Sequence, residues 1–306
     1  MTTPSSPHAQ RAANRRGVLA MSAGMASFVA NDSMVKVVSE SLPSMQLIFL
    51  RGLFATLLLF VVVQAVGATR QFARLGNRRV LLRAALDAVA SVVYLTSLFH
   101  LPIGEATAIN MATPLFITLF AVLAFKEQVG AGRWLAIATG FTGVLLVVQP
   151  SAAAFNAWSL LCLGGTLLHA GRDLTTRYID KAIPSILITL SSALAVTALA
   201  GIGTLVQGWQ PVHPRQLAML AGASVFLSCG YYLLTVAMRG GEMSLIAPFR
   251  YAGLLFALLL GYLVWGDVPD ALAWIGIALL VAAGLYVLHG ERGRGRGRPE
   301  LEPIAD

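Results

Sequence analysis

Charge is what this chain has least of. Only 12% of its 306 residues are Asp, Glu, Lys or Arg, about half the roughly 25% of an average soluble domain. So few charges cannot cover a water-facing surface, which excludes a soluble enzyme and a disordered chain. Cysteine is equally scarce. Cys162 and Cys229 both lie in apolar runs with no CxxC or Cys/His spacing, which excludes a disulfide scaffold and a zinc framework and reads them as small buried hydrophobes. The chain also has no HExxH, Walker A or GxSxG motif, so no hydrolytic, ATP-driven or metal chemistry and no cofactor is expected.

What is abundant is apolar sequence: 57% hydrophobic residues and a mean hydropathy of +0.74. About 20 such residues cross a bilayer as a helix. The stretches 17–38, 44–66, 80–100, 102–124, 132–149, 157–179, 185–206, 216–238, 243–265 and 271–288 read as ten spans, with Pro43, Pro102, Pro150, Pro184 and Pro269 among the connections. The first contains Asn31, Asp32 and Lys36 and is too long for a cleaved leader. The fold class is therefore all-α and integral to the membrane.

The net charge of +8 is not spread as a nucleic-acid surface would be. Of the 22 Lys and Arg, eighteen fall in alternate connections beginning with the N-terminal tail, and only Arg215 in the other set. By the positive-inside rule both termini are cytoplasmic, and for a bacterial chain the membrane is the inner one. The run at 292–298 (RGRGRGR) reads as a topology determinant; anionic lipid or RNA is the other partner that such a run can touch.

The two halves can be laid over each other. Asn31-Asp32-x-x-x-Lys36 with Pro43 recurs as Arg172-Asp173-x-x-x-Arg177 with Pro184, each offset by 141 residues, and Gly143 pairs with Gly284 at the same offset. Glu127 and Trp134 pair with Asp267 and Trp274 one residue short of it. Residues 1–16 form a cytoplasmic tail, 17–150 the first repeat, 151–289 the second, and 290–306 a basic tail. Five spans per repeat is an odd number, so the second copy sits upside down. Inverted repeats of this kind build secondary carriers, with the solute site near the midplane between the halves.

Ionisable side chains at span depth cost about 2.5–3.5 kcal/mol and normally face a cavity or a partner. Asp32 with Lys36, and Asp173 with Arg177, share helix faces at i,i+4. Mutual neutralisation and solute contact are both open for these pairs, and snorkelling is open for Lys36. Arg51 and Arg250 have no acid on their own helices, so each needs a carboxylate from another span or an anionic solute group. Asp87 is a partner for either and, with Asp173 and His169, a candidate for ion coupling. Asn110, Tyr94 and Tyr251 are further cavity candidates, with Arg250, Arg51, Asp32 and Lys36 as the charged contacts. Glycines 140, 143, 276 and 284 permit close helix contact, inside the chain or across a homodimer seam.

The stretch Leu101-Pro-Ile-Gly-Glu-Ala-Thr-Ala through Thr113-Pro-Leu-Phe and Lys126-Glu127, with its partner Ala247-Pro-Phe-Arg-Tyr through Gly266-Asp267 and Trp274, resembles the EamA family of the drug/metabolite transporter superfamily. The likeness spans about residues 17–289. Asp32-x-x-x-Lys36, Phe49-Leu50-Arg51 and Pro248-Phe-Arg-Tyr251 are similar to the branch with S-adenosylmethionine and riboflavin carriers and an opine-metallophore exporter. Asp267 departs from the usual Glu but keeps the charge. The resemblance implies a ten-helix permease with a central cavity, and a small polar or zwitterionic metabolite as substrate. A lipid flippase on the same fold is the alternative, and a membrane sensor a third reading.

Overall fold

In lipid no water satisfies backbone N–H and C=O groups, so apolar runs of this length fold as helices. The computed structural model describes residues 7–125, 131–148, 156–176, 178–180, 182–240 and 246–295, and among them no strand occurs. The helices are α1 (Pro7–Ser39), α2 (Ser44–Ala65), α3 (Arg78–Leu98), α4 (Ile103–Asn110), α5 (Thr113–Phe125), α6 (Ala131–Val148), α7 (Ala157–Thr176), α8 (Ser185–Gln207), α9 (Pro214–Gly240), α10 (Ala252–Trp265) and α11 (Ala271–Gly295). Short 3-10 helices cover Ala68–Gly76 and Ala247–Tyr251. Lys126, Glu127, Arg177 and the tail beyond 295 lie outside the described residues.

Sequence signals set most boundaries. Pro43, Pro102 and Pro184 stand in extended backbone directly before α2, α4 and α8, where a fixed φ and a missing N–H cost least. Gly67, at φ 68°, takes the left-handed turn after α2 that a side chain would resist. Among the described residues five helices are long and apolar enough to cross a membrane, and Trp134–Val148, Phe249–Trp265 and Ala271–Tyr286 are shorter apolar helices.

Two of the expected spans are broken. The stretch 102–124 divides into α4 and α5 at Met111–Ala112, just ahead of Pro114, and the Thr113 hydroxyl donates to the Asn110 carbonyl at 2.6 Å. Proline supplies no N–H there and disfavours α geometry in the residue before it. The stretch 243–265 ends as α10, entered through the 3-10 turn at Ala247–Tyr251. The breaks fall at neighbouring places in the two repeats, since 111 plus 141 is 252, the residue that directly follows the 3-10 turn.

The packing follows the same arithmetic. The mates are α1 with α7, α2 with α8, α3 with α9, α4–α5 with the 3-10 turn and α10, and α6 with α11. α1 packs along α9 as α7 packs along α3, and α2 meets α9 as α8 meets α3. α2 against α8, and α6 against α11, are pairings of mates. The two halves therefore interlock through one shared interior. Thr56 and Thr197 hydrogen-bond at 3.2 Å and are 141 residues apart. A residue touches its own mate only on the axis that exchanges the halves, so the axis passes through the α2–α8 crossing.

The halves are oppositely directed. The end of α1 lies at the end of α3, where Lys36 Nζ donates to the Leu98 carbonyl at 3.0 Å. The end of α7, the mate of α1, lies near the start of α3, where Arg83 Nε donates to Thr176 Oγ1 at 2.8 Å. α3 spans 21 residues, about 31 Å of rise at 1.5 Å per residue, the thickness of the hydrocarbon core. Lipid offers no hydrophobic drive between helices, so close van der Waals contact holds them. At the α6–α11 seam a Cβ added to Gly143 would stand 2.6 Å from the Gly276 carbonyl oxygen, and one on Gly276 would stand 2.6 Å from that of Gly143. These glycines thus serve contact within the chain.

Each end of the bundle carries a clamp between connections. At the arginine-bearing end Arg74 donates to the Ala182 carbonyl, and Arg79 to that of Tyr178 at 2.7 Å. At the opposite end Gln216 donates to Ser41 Oγ at 2.8 Å, and Gln46 and Gln210 exchange two bonds of 2.7 and 2.9 Å. Ser41 is the mate of Ala182, and Gln216 lies one residue past the mate of Arg74. One contact is thus written twice, in arginine on one side and in glutamine on the other.

Candidate functional site

Polar side chains at span depth gather in two nests. The first joins α1, α2, α3 and α9. Asn31 Nδ2 donates to Asp32 Oδ1 at 2.8 Å, and Tyr94 donates its hydroxyl to Asp32 Oδ2 at 3.2 Å. Arg51 reaches Asn31 Oδ1 at 3.4 Å, a long bond, while the Arg51 carbonyl accepts from Ser224 Oγ at 3.0 Å. Arg51 is 7% exposed, and its Nε is buried with no hydrogen-bond partner among the described residues.

The second nest joins α3, α7 and α8. Arg172 donates to Asp87 Oδ1 at 2.6 Å and, through Nε, to Asp173 Oδ1 at 2.9 Å. Arg83 stands 3.9 Å from the other Asp87 oxygen, an i,i+4 pair on α3, and donates to Ser192 Oγ. Asp87 therefore pairs with Arg172 and Arg83 rather than with Arg51 or Arg250, because α7 lies along α3 at that level.

The second nest is the image of the first. Arg172 and Asp173 are the mates of Asn31 and Asp32; Ser192 is the mate of Arg51 (51 plus 141) and Ser224 that of Arg83 (83 plus 141). The serine–arginine contact thus occurs on both sides with the residue types exchanged. On α3, Asp87 and Tyr94 are seven residues, two turns, apart, so the nests stand about 10 Å from each other along one helix face.

One accessible side chain marks an internal space between them. On α9 the buried stripe runs through Leu220, Ala223, Ser224 and Gly230, and Tyr231, seven residues after Ser224, shares that face; yet Tyr231 is 40% exposed. Its ring meets Phe28 edge-on at 5.1 Å, and its hydroxyl is within electrostatic reach of Asp87, Arg172 and Arg83 in one nest and Arg51 in the other. A side chain on the inward face that is still accessible lines an internal space. His169 hydrogen-bonds Asn110 Oδ1 at 3.1 Å, and its ring lies 5.8 Å from that of Tyr94, which extends the polar wall.

The remaining sequence candidates lie elsewhere. Lys36 is tied to the Leu98 and Leu101 carbonyls with its ammonium 5.4 Å over the Trp265 ring, so it fastens the α1, α3 and α10 ends. Arg250 is exposed in the 3-10 turn that precedes α10. Gly253 faces Met25 on α1, six residues before Asn31, so Arg250 stands nearer the arginine-bearing end than Arg51 by at least about 9 Å. Tyr251 is buried with its hydroxyl facing Gly284. Glu105 and Asp267 line a cavity of about 60 Å³ at the opposite end. Cys162 is buried, but Cys229 is exposed, on the outward stripe of α9 with Val225 and Tyr232.

Asn31, Arg83, Ser192 and Ser224 were missed as site residues. The signals were present: 83 and 87 are i,i+4, and each of the others is the 141-offset mate of a charged residue.

Oppositely directed halves with charged nests between them fit one class, a helical membrane transporter. The comparisons agree: the model of the EamA-like transporter family matches residues 15–149 and 156–288. The chain belongs to that family. It is 26% identical over 281 residues to the pseudopaline exporter of Pseudomonas aeruginosa, covering 91% of this chain and 98% of that one. It is 30% identical over 218 residues to a riboflavin transporter of Rhizobium johnstonii (71% and 72% covered) and 25% identical over 273 residues to an S-adenosylmethionine uptake transporter of Rickettsia bellii (88% and 91%). A solved crystal structure aligns with a TM-score of 0.62 and 18% identity over 96% of this chain and 99% of that one, which shows the fold. These relatives are transporters, and this chain is a transporter and not an enzyme.

Proposed function

We propose that the chain is a secondary transporter of the bacterial inner membrane that moves a small polar or zwitterionic organic solute by alternating access. Both termini face the cytoplasm, a reading supported by the eighteen-to-one division of Lys and Arg. The observation that carries the proposal is the pair of nests related by the axis at Thr56 and Thr197. In an inverted-repeat carrier the halves exchange conformations, so whatever one nest and clamp do on one face, their mates do on the other. The arginine clamp closes the cytoplasmic face and the glutamine clamp the external one, each opening in turn.

Within this reading Arg51, Asp32, Tyr94, Asn110, His169 and Tyr231 contact the bound solute. Arg250 and Tyr251 lie on the cytoplasmic part of its route, and Lys36 fastens the external end. Coupling to an ion gradient needs a carboxylate that gains and loses its partner during the cycle; Asp87 on α3 fits, since it releases Arg172 if α3 and α7 separate, while Asp173, beside Arg172 on α7, is the carboxylate that keeps that contact. Purified protein in liposomes preloaded with a metabolite pool should exchange an external labelled solute by counterflow, and Arg51→Gln should abolish that exchange while leaving the thermal midpoint unchanged. Full exchange by Arg51→Gln removes the central site from the account.

A further inference from the structure

The nests share a plan and differ in one respect. In the second, Arg172 bonds Asp87 and Asp173 directly and Arg83 completes the set, so four charges compensate one another. In the first, the position of Arg172 is held by Asn31. Its amide lies between the charges, accepting from Arg51 on one side and donating to Asp32 on the other. Among the described residues neither Arg51 nor Asp32 forms an ion pair.

We propose that Asn31 holds Asp32 and Arg51 apart so that the first nest receives one doubly charged solute, its carboxylate on Arg51 and its ammonium on Asp32. This rests on the transporter reading above and names the substrate class of the same site. Arg51 is buried, with one donor unpartnered and a neutral amide as its acceptor, and a guanidinium fork in that state matches a carboxylate in two bonds. Asp32 accepts from two donors, Asn31 and Tyr94, and an ionised carboxylate has room for about two more. A solute with one charge leaves the other charge, buried Arg51 or half-buried Asp32, uncompensated, at a cost that a zwitterion avoids. The apolar part of the solute then lies along Phe28 and Tyr231. The second nest, whose charges are already paired with one another, closes without solute and resets the carrier.

The test uses three matched probes, methionine (both charges), methioninamide (cation) and N-acetylmethionine (anion), each at high concentration with the purified full-length chain in detergent. Methionine should raise the thermal midpoint more than either singly charged probe. Arg51→Gln, Asp32→Asn and Asn31→Arg should each weaken it roughly 30-fold or more, as removing one side of a buried charged pair does. Asn31→Ser covers the case in which Asn31→Arg does not fold; it lets the two charges meet and should also lose binding. Equal shifts from methionine and a singly charged probe, no shift from any probe, or binding retained in Asn31→Ser overturns the inference. Counterflow of any labelled solute alongside such a result leaves the transporter reading standing and removes only the two-charge site.

Discussion

The contact most open to a quantitative test is Arg172 on Asp87. The bond is 2.6 Å, with side chains 18% and 9% exposed. Breaking a fully buried pair costs about 3–5 kcal/mol, because the survivor is left charged and unpaired, whereas exposed pairs contribute about 0–1 kcal/mol. Arg83, 3.9 Å from the carboxylate, and the adjoining hollow soften the loss, so Arg172→Gln should destabilise the protein by about 2–3 kcal/mol, between those limits. Asp173 also loses its partner, but at 31% exposure it contributes little. Asp87→Asn should cost a similar amount, and the double variant should recover much of it, giving a coupling near 2 kcal/mol in a double-mutant cycle. Unfolding in mixed detergent micelles, followed by circular dichroism, measures all four proteins. A coupling below about 0.5 kcal/mol, the level of independent sites, refutes the claim that the second nest is a compensated ionic unit.

Three further outcomes are expected. Gly143→Val must displace the Gly276 carbonyl and should lower the yield of folded protein on size exclusion, whereas Gly164→Ala and Gly171→Ala, where among the described residues nothing beyond the local helix backbone comes within 4 Å of the added carbon, should behave as the parent. Lys36→Met removes the donor to the Leu98 and Leu101 carbonyls and should cost about 1–3 kcal/mol in the same unfolding assay, without changing the solute affinity of the first nest. Cysteine pairs Ser41→Cys with Gln216→Cys, and Arg74→Cys with Ala182→Cys, should each stop counterflow when bridged by a cleavable bifunctional thiol reagent that spans the long side chains they replace, and restore it on cleavage, since each locks one face.

Much of this architecture was readable before any coordinates. Apolar length set the helices, proline their starts, and the 141-residue offset of Asp32 and Asp173 the repeat, because these depend on local chemistry and on counting. The breaks were half visible: Pro114 marked one, but the 3-10 turn at Ala247–Tyr251 depends on how α10 packs on α1 and α4. The site was harder. Arg51 and Asp32 were identifiable as charges in apolar runs, but the partner of Asp87 was not, because whether α3 lies on α7 or α2 is a tertiary fact. Arg83 looked like a topology arginine, since it sits near a helix start, and Arg250 looked central because it falls well inside its apolar stretch. Cys229 was misplaced for the same reason: an apolar neighbourhood does not tell a lipid-facing stripe from a core-facing one.

The central claim is that one hollow between the halves opens to each face in turn. In a Cys229→Ser background, Tyr231→Cys places a thiol in that hollow, and an impermeant thiol reagent can be applied to either side of oriented, sealed vesicles. Labelling from both sides is the result this account predicts. Labelling from one side alone, or from neither, contradicts it.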